Sequence, residues 1–364
     1  MKNLFSALLF SIICLASFGQ SNTFFVTGKV ISAGTKLPLQ GASVFAQNTT
    51  FGTVTDAEGN FKLWLPPGGY DIIVTFTGYA TEIKRITSSD VNDKELLFDL
   101  ATKEKEMSEV SIVSTNEVKD GWEKYGSFFL EEFIGKTANS RQCEIKNKET
   151  LKFFFSKRKN RLKITATEPL QIVNNALGYN IKYALDSFTH EYNTEVSTYT
   201  GYPLFEAMTA ANEAQQQQWD SARQDAYRGS VLHFMRSLYG KQLKDQGFEI
   251  QFVVKMNEKD KAIRLKDQYG AMHYHMDDST QTVEVRPNQL EVGVIYTKEK
   301  PAADYIKENP DEPSAFQFST LSFLPGESII IEQNGYYYDQ NDLIIHAYWT
   351  WDKMADLLPY DYIL

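Results

Sequence analysis

Residues Thr53 to Leu65 read T-V-T-D-A-E-G-N-F-K-L-W-L, and how this stretch is read decides the fold. Asp56, Glu58 and Asn60 put oxygen-bearing side chains at alternate positions, as calcium loops do. A calcium loop of the helix-loop-helix kind needs glycine at the sixth place and glutamate at the twelfth. Counted from Asp56, those places hold Phe61 and Pro67. A hairpin fits better. Gly52 to Thr55 and Asn60 to Leu65 alternate as strands, Asp56 is placed to accept backbone amides, and Gly59 accepts the positive φ that closes a turn.

The same alternation extends on both sides. Phe25 to Ile31, Ala42 to Ala46, Tyr70 to Phe76, Thr81 to Ile86 and Leu96 to Leu100 are further strands, and Pro66-Pro67-Gly68-Gly69 is a turn between two of them. Short strands at this spacing, without a helical period, predict an all-β sandwich over residues 20–101. The series Gly28-Lys29-Val30-Ile31, Leu37-Pro38-Leu39-Gln40-Gly41-Ala42-Ser43-Val44, Gly52 to Phe61, Pro67-Gly68 and Phe76-Thr77-Gly78-Tyr79 resembles the carboxypeptidase-regulatory-like domain. That resemblance implies a transthyretin-like sandwich that serves as a folding and interaction module beside many partners, including the start of outer-membrane nutrient receptors in Bacteroidetes. It implies no peptidase activity.

The chain opens with Met1-Lys2-Asn3, an uncharged run from Leu4 to Phe18, and Ser17-Phe18-Gly19 before Gln20. A basic start, an apolar run too short to span a bilayer and small residues at the cleavage position read as a secretory leader, residues 1–19. Ile13 stands before Cys14 where lipid attachment needs a small residue. No later segment has the length of apolar residues that a transmembrane helix needs, so the expectation is an exported protein, periplasmic or associated with the outer membrane, with the extracellular face open. With Cys14 in the leader, Cys143 is the one remaining cysteine. It is either a small buried apolar residue or a reactive thiol. The formal net charge of −10 argues against nucleic acid or an anionic membrane surface as a partner.

Residues 102–119 read as a charged, hydroxyl-rich linker with one added strand, Val110 to Val113. This junction is similar to the one that precedes the receptor plug, yet only about 245 residues follow, too few for a receptor barrel. Residues 120–364 are expected to form an α+β domain with mainly antiparallel strands and a long helix. Trp122, Tyr125, Phe128, Phe129 and Phe133 mark a first amphipathic helix. Strands are expected at Thr150 to Ser156, Leu162 to Thr167, Asn180 to Leu185 and Glu191 to Thr198. The long helix is expected over Trp219 to Gln246, with Gly229 as a weak point or close-packing site. Strands follow to the end, including Phe248 to Lys255, Thr282 to Val285, Val292 to Tyr296 and Leu343 to Ala347. Ala166 to Tyr179, Gly201-Tyr202-Pro203-Leu204-Phe205, Gly229 to Arg236 and Leu357-Leu358-Pro359-Tyr360-Asp361-Tyr362 are similar to a Bacteroidetes group of exported carboxypeptidase-like regulatory domain proteins. That second resemblance speaks to lineage and says almost nothing of activity.

No chemistry stands out. None of His190, His233, His273, His275 and His346 is followed by glutamate at the third place, so the ligand spacing of a zinc carboxypeptidase is absent. His273 and His275 are the metal candidates, with Asp277 and Asp278 behind them, because alternate strand positions aim two imidazoles to one face. The alternative is an exposed polar strand. There is no Gly-x-Ser-x-Gly elbow, and Ser156-Lys157-Arg158-Lys159 is a charge run. Glu131-Glu132, Asp277-Asp278 and Asp304 are acids without a defining pattern. Arg223 and Arg236 are placed either to anchor carboxylates of a partner or to pair within the fold. Tyr336, Tyr338, Trp349, Trp351, Tyr360 and Tyr362 suit a protein interface, sugar stacking or core packing, with Trp349 and Trp351 sharing a face if that segment is a strand. The reading that results is a non-enzymatic interaction or scaffold protein with no cofactor, an accessory subunit of an outer-membrane assembly for secretion, nutrient uptake or barrel assembly. The alternative is a glycan- or peptide-binding or processing protein of the envelope.

Overall fold

The computed structural model describes residues 23–87, 95–103, 116–256, 259–338 and 340–364. The leader expected over 1–19 and the strand expected at 110–113 lie outside these residues. The chain is predominantly β, with an N-terminal β-sandwich-like domain and a few helices.

Seven strands form the sandwich: β1 (Phe24–Ser32), β2 (Ser43–Ala46), β3 (Gly52–Val54), β4 (Asn60–Leu65), β5 (Gly69–Thr75), β6 (Glu82–Thr87) and β7 (Leu96–Leu100). One sheet has the order β4-β1-β7 and the other β3-β2-β5-β6. In β4 the alternation buries Phe61, Leu63 and Leu65 and turns Lys62 and Trp64 outward. The turn at Asp56 forms as expected: its Oδ1 accepts the N–H groups of Glu58 and Asn60 at 3.0 and 2.7 Å, and Gly59 holds φ +79°. The hairpin does not. β3 pairs with β2, whereas β4 pairs with β1, so this turn carries the chain from one sheet to the other. A two-stranded hairpin and such a crossover have the same alternation and the same turn residues, and only the partner strands differ.

The second region begins with α1 (Gly121–Phe133), which buries Phe129 and Phe133 with their rings stacked 5.1 Å apart. It lies on a six-stranded sheet of β8 (Cys143–Ile145), β9 (Leu151–Ser156), β10 (Arg161–Ala166), β11 (Leu170–Asn174), β12 (Tyr179–Glu191) and β13 (Val196–Ala207). The strands expected at Asn180 to Leu185 and Glu191 to Thr198 are instead parts of one long β12–β13 hairpin. A register shift between Leu185 and Ser187 interrupts the alternation there, which hid its length.

The single long helix expected over Trp219 to Gln246 is three helices, α2 (Glu213–Tyr227), α3 (Val231–Tyr239) and α4 (Leu243–Gln246). Gly229 makes the first break. It holds φ +76°, a Cβ there would come 2.3 Å from Gln317 Oε1, and the Ser230 hydroxyl accepts the His233 N–H as the cap of α3. The apolar period runs through the break because α2 buries Trp219 and Tyr227 and α3 buries Phe234, Met235 and Leu238.

The last layer is antiparallel. β15 (Lys259–Arg264), β14 (Phe248–Met256), β18 (Glu291–Tyr296), β19 (Gln317–Phe323) and β21 (Leu343–Ala347) form one sheet in that order. β16 (His275–Asp277), β17 (Thr282–Val285) and β20 (Ile329–Ile331) form another. Buried apolar side chains gather in three clusters: one in the sandwich, one between α1 and the six-stranded sheet, and one around α3 and the last sheets.

The sandwich is fastened to the rest of the chain through its turn after β2. Asn48 N–H donates to Pro203 O at 2.9 Å, and Phe205 N–H donates to Thr49 O at 2.9 Å, which extends the edge of β13. The C-terminal tail closes over the same turn: Tyr360 N–H donates to Asn48 O at 2.7 Å and Thr50 N–H to Asp361 Oδ1 at 2.9 Å.

Candidate functional site

The C-terminal stretch supplies two polar clusters of different character. The first is a seam against the sandwich. Arg85 on β6 donates to Asp71 on β5 at 2.9 Å and to the Tyr336 hydroxyl at 2.9 Å, and that hydroxyl donates to Asp71 Oδ2 at 2.5 Å. The guanidinium also lies 4.0 Å from the ring centre of Tyr338, whose hydroxyl donates to Glu332. The backbone N–H of Gly69 also binds Glu332. Burial raises the Glu332 pKa, while the Tyr338 hydroxyl and Gly69 oppose the rise. Tyr336 and Tyr338 are buried, and Tyr360 packs edge-on to Tyr336 at 5.4 Å with its own pKa pushed up to about 12 by burial.

The other interaction candidates are also occupied by this chain. Arg223 donates to the carbonyls of Leu177 and Gly178 at 2.7 and 3.1 Å and stacks on Tyr179. Arg236 donates to the carbonyls of Asn334 and Tyr360 at 2.9 and 3.0 Å. Tyr362 packs 5.8 Å from Tyr227. Trp349 is buried against Phe234, and its indole N–H donates to Gly229 O at 2.6 Å. The expectation that Trp349 and Trp351 share a strand face is corrected: β21 ends at Ala347, which holds φ +62°, and Tyr348–Thr350 is a turn of 3₁₀ helix. A positive φ on alanine is strained, and it sends the two indoles to different places.

The pairing of His273 with His275 is likewise corrected. His275 begins β16, but His273 sits in a turn at φ +44°, so strand alternation does not relate them. Asp277 accepts the Ser279 and Thr280 amides of the next turn. Cys143 is half-buried in β8, and burial pushes its thiol up to about 12, far from a thiolate at neutral pH. Glu131 and Asp304 are exposed acids near Lys136 and Arg141.

The second cluster lines a cavity of about 420 Å³ between the end of α2, the segment after α1 and the tail. Trp351 and Tyr348 form an aromatic wall, and both pack edge-on to Tyr305 at 5.6 and 4.9 Å. Asp352, Asp356 and Glu299 also line it. Asp356 accepts Thr137 Oγ1 and Asn139 Nδ2, both at 2.8 Å. Glu299 is 3.9 Å from Arg228, which is closer to Asp225 at 3.2 Å. Asp352 has no hydrogen-bond partner among the described residues, and it also lines a second cavity of about 260 Å³ beside Trp349 and Tyr360. Burial, then the charges of Asp356 and Glu299, raise its pKa well above the carboxylate range, and burial also raises Asp356 and Glu299. Sequence reasoning found Trp351 but missed the acids. The one signal was Asp352 and Asp356, four apart in an aromatic and apolar stretch from Tyr348 to Leu358 that holds Thr350 and Lys353 besides.

Fold and sites together define a mainly β chain with an N-terminal sandwich. Among the described residues no helix is long and apolar enough to cross a membrane. Residues 26–112 match the CarboxypepD_reg-like domain, a commonly non-catalytic family. No curated protein matches the chain. Among solved structures, one similar chain belongs to the Coh3ScaB-XDoc_M1ScaA complex, an interface mutant of a type II cohesin-X-dockerin complex from Acetivibrio cellulolyticus. Identity is 29%, the match covers 20% of this chain and about half (51%) of that chain, and the TM-score is 0.16. Another is a DUF3823 family protein from Bacteroides ovatus ATCC 8483, at 12% identity over 51% of this chain and 81% of that one, with a TM-score of 0.16. Superpositions this loose carry no argument about fold or function.

Proposed function

We propose that the protein is a non-enzymatic interaction or scaffold protein of the cell envelope, exported by its leader and serving an outer-membrane assembly. The seating of the sandwich carries this reading. A CarboxypepD_reg-like domain held by the Asn48 turn, the tail and the Arg85 seam keeps a fixed orientation to the rest of the chain, as a scaffold requires. Its outer face then presents Phe25, Trp64 and Leu97, which are 45, 54 and 49% exposed, with Lys62 4.0 Å from the Phe25 ring centre and 4.6 Å from that of Trp64. Grouped apolar exposure of this kind marks contact surfaces, and the partner expected here is an outer-membrane protein.

The test is capture of the tagged protein's partners from detergent-solubilised envelopes, read by mass spectrometry. Wild type is expected to bring down outer-membrane proteins, and the double variant Phe25→Ser, Trp64→Ser to lose them at unchanged Tm. Equal capture by both, or no specific capture by either, overturns the reading. The cavity at Asp352 and Trp351 favours a second reading, in which the protein binds a small ligand, glycan or peptide end.

A further inference from the structure

We propose that the cavity walled by Trp351 and Tyr348 binds an organic ammonium ion, with Asp352 as its counter-ion. The inference rests on the ligand-binding reading and names the chemistry of the ligand. Five carboxyl groups and only two cationic side chains line the cavity, and neither cation pairs with Asp352. Arg228 pairs with Asp225, and Lys136 reaches out to Glu308 at 3.1 Å. Lys353, which borders the neighbouring cavity, pairs with Glu132 at 3.3 Å. Among the described residues the chain supplies no hydrogen-bonding partner for Asp352, although the residue is only partly exposed and lines both cavities. A carboxyl group left in that state costs stability unless something else compensates it.

The geometry selects the kind of cation. Among the described residues no group of three or more His, Cys, Asp or Glu side chains could hold a metal ion. One wall is aromatic, and aromatic faces attract alkylammonium groups while packing on their apolar stems. The volume of about 420 Å³ suits a small organic molecule or a single side chain. A neutral sugar would stack on Trp351 and offer Asp352 hydroxyl donors but no compensating charge, and an anion would meet further negative charge.

The experiment is calorimetric titration of the full chain with butylammonium, 1-butanol as its neutral isostere, calcium, lysinamide, a neutral chito-oligosaccharide and an N-acetylated uncharged peptide. Butylammonium and lysinamide are expected to bind saturably, and 1-butanol and calcium to show no saturable binding. Asp352→Asn, a change of nearly equal volume, is expected to weaken butylammonium at least about tenfold. Trp351→Ala is expected to weaken it several-fold, within the about 2- to 30-fold range of a cation–π contact. Glu144→Gln, at an exposed acid that pairs with Lys146 and does not line the cavity, is expected to leave binding unchanged. Butanol binding as well as butylammonium, calcium binding in its place, or an unaffected Asp352→Asn overturns the inference. If only the sugar or the uncharged peptide binds, the ligand-binding reading stands and the cation is wrong. If no probe binds, both fail.

Discussion

In the seam, Asp71 meets Arg85 and Tyr336, and Glu332 meets Tyr338 and Gly69. In the cavity, Asp352 meets two further acids. Both clusters draw on the C-terminal stretch and both place carboxyl groups at least partly out of water, but one is closed and the other is left open. A closed polar network fixes how two packed layers sit, because every group lost from it strands another. An open one weakens the fold where it stands, and chains keep such sites where a ligand completes them. The aromatic tail is thus divided by role: Tyr336, Tyr338, Tyr360 and Trp349 hold the chain to itself, while Trp351 faces a space that the chain does not fill.

Substitutions ordered by expected size can break that division. Trp349→Ala removes a buried indole and its bond to Gly229 O, and a loss of about 3–5 kcal/mol in chemical denaturation is expected. A loss under about 1 kcal/mol would mean that Trp349, like Trp351, is not structural. Arg85→Ala strips Asp71 and Tyr336 of their shared donor. Because Arg85 is partly exposed, the expected loss is about 1–2 kcal/mol, together with faster proteolysis at the junction between sandwich and sheet. Trp351→Ala, only two residues from Trp349, is expected to cost about 1 kcal/mol or less in stability and to act on ligand binding instead. Equal losses for the two tryptophans would erase the distinction.

Much of the fold was legible because its signals are local. All seven sandwich strands lie within a residue or two of the expected positions, and α1 follows the spacing of Trp122, Tyr125, Phe129 and Phe133. What was not legible depends on partners distant in sequence. The turn at Asp56 reads alike whether β4 returns to β3 or crosses to β1. The break at Gly229 is masked because the apolar faces of α2 and α3 both point inward. The site was less legible still. The surroundings of Asp352 are built by α2, the residues after α1 and the segment at Glu299, which no local pattern brings together. Conversely, the Arg223 and Arg236 guanidinium groups, which sequence alone left open to a partner, bind carbonyls of this chain.

The most direct test of the division is the Tm of Asp352→Asn against wild type, measured at pH 7 and again near pH 4. The folded chain raises the Asp352 pKa, so this group's contribution to stability is most favourable below the ordinary aspartate value of about 3.9. It is lost as pH rises from there through the raised folded value, because the unfolded chain releases its proton first. Removing the ionisation should therefore raise Tm at pH 7, by a few degrees, with the gain shrinking towards pH 4. A fall in Tm at pH 7 comparable to that of Arg85→Ala would contradict the account, because it would show Asp352 to be a satisfied structural group like those of the seam.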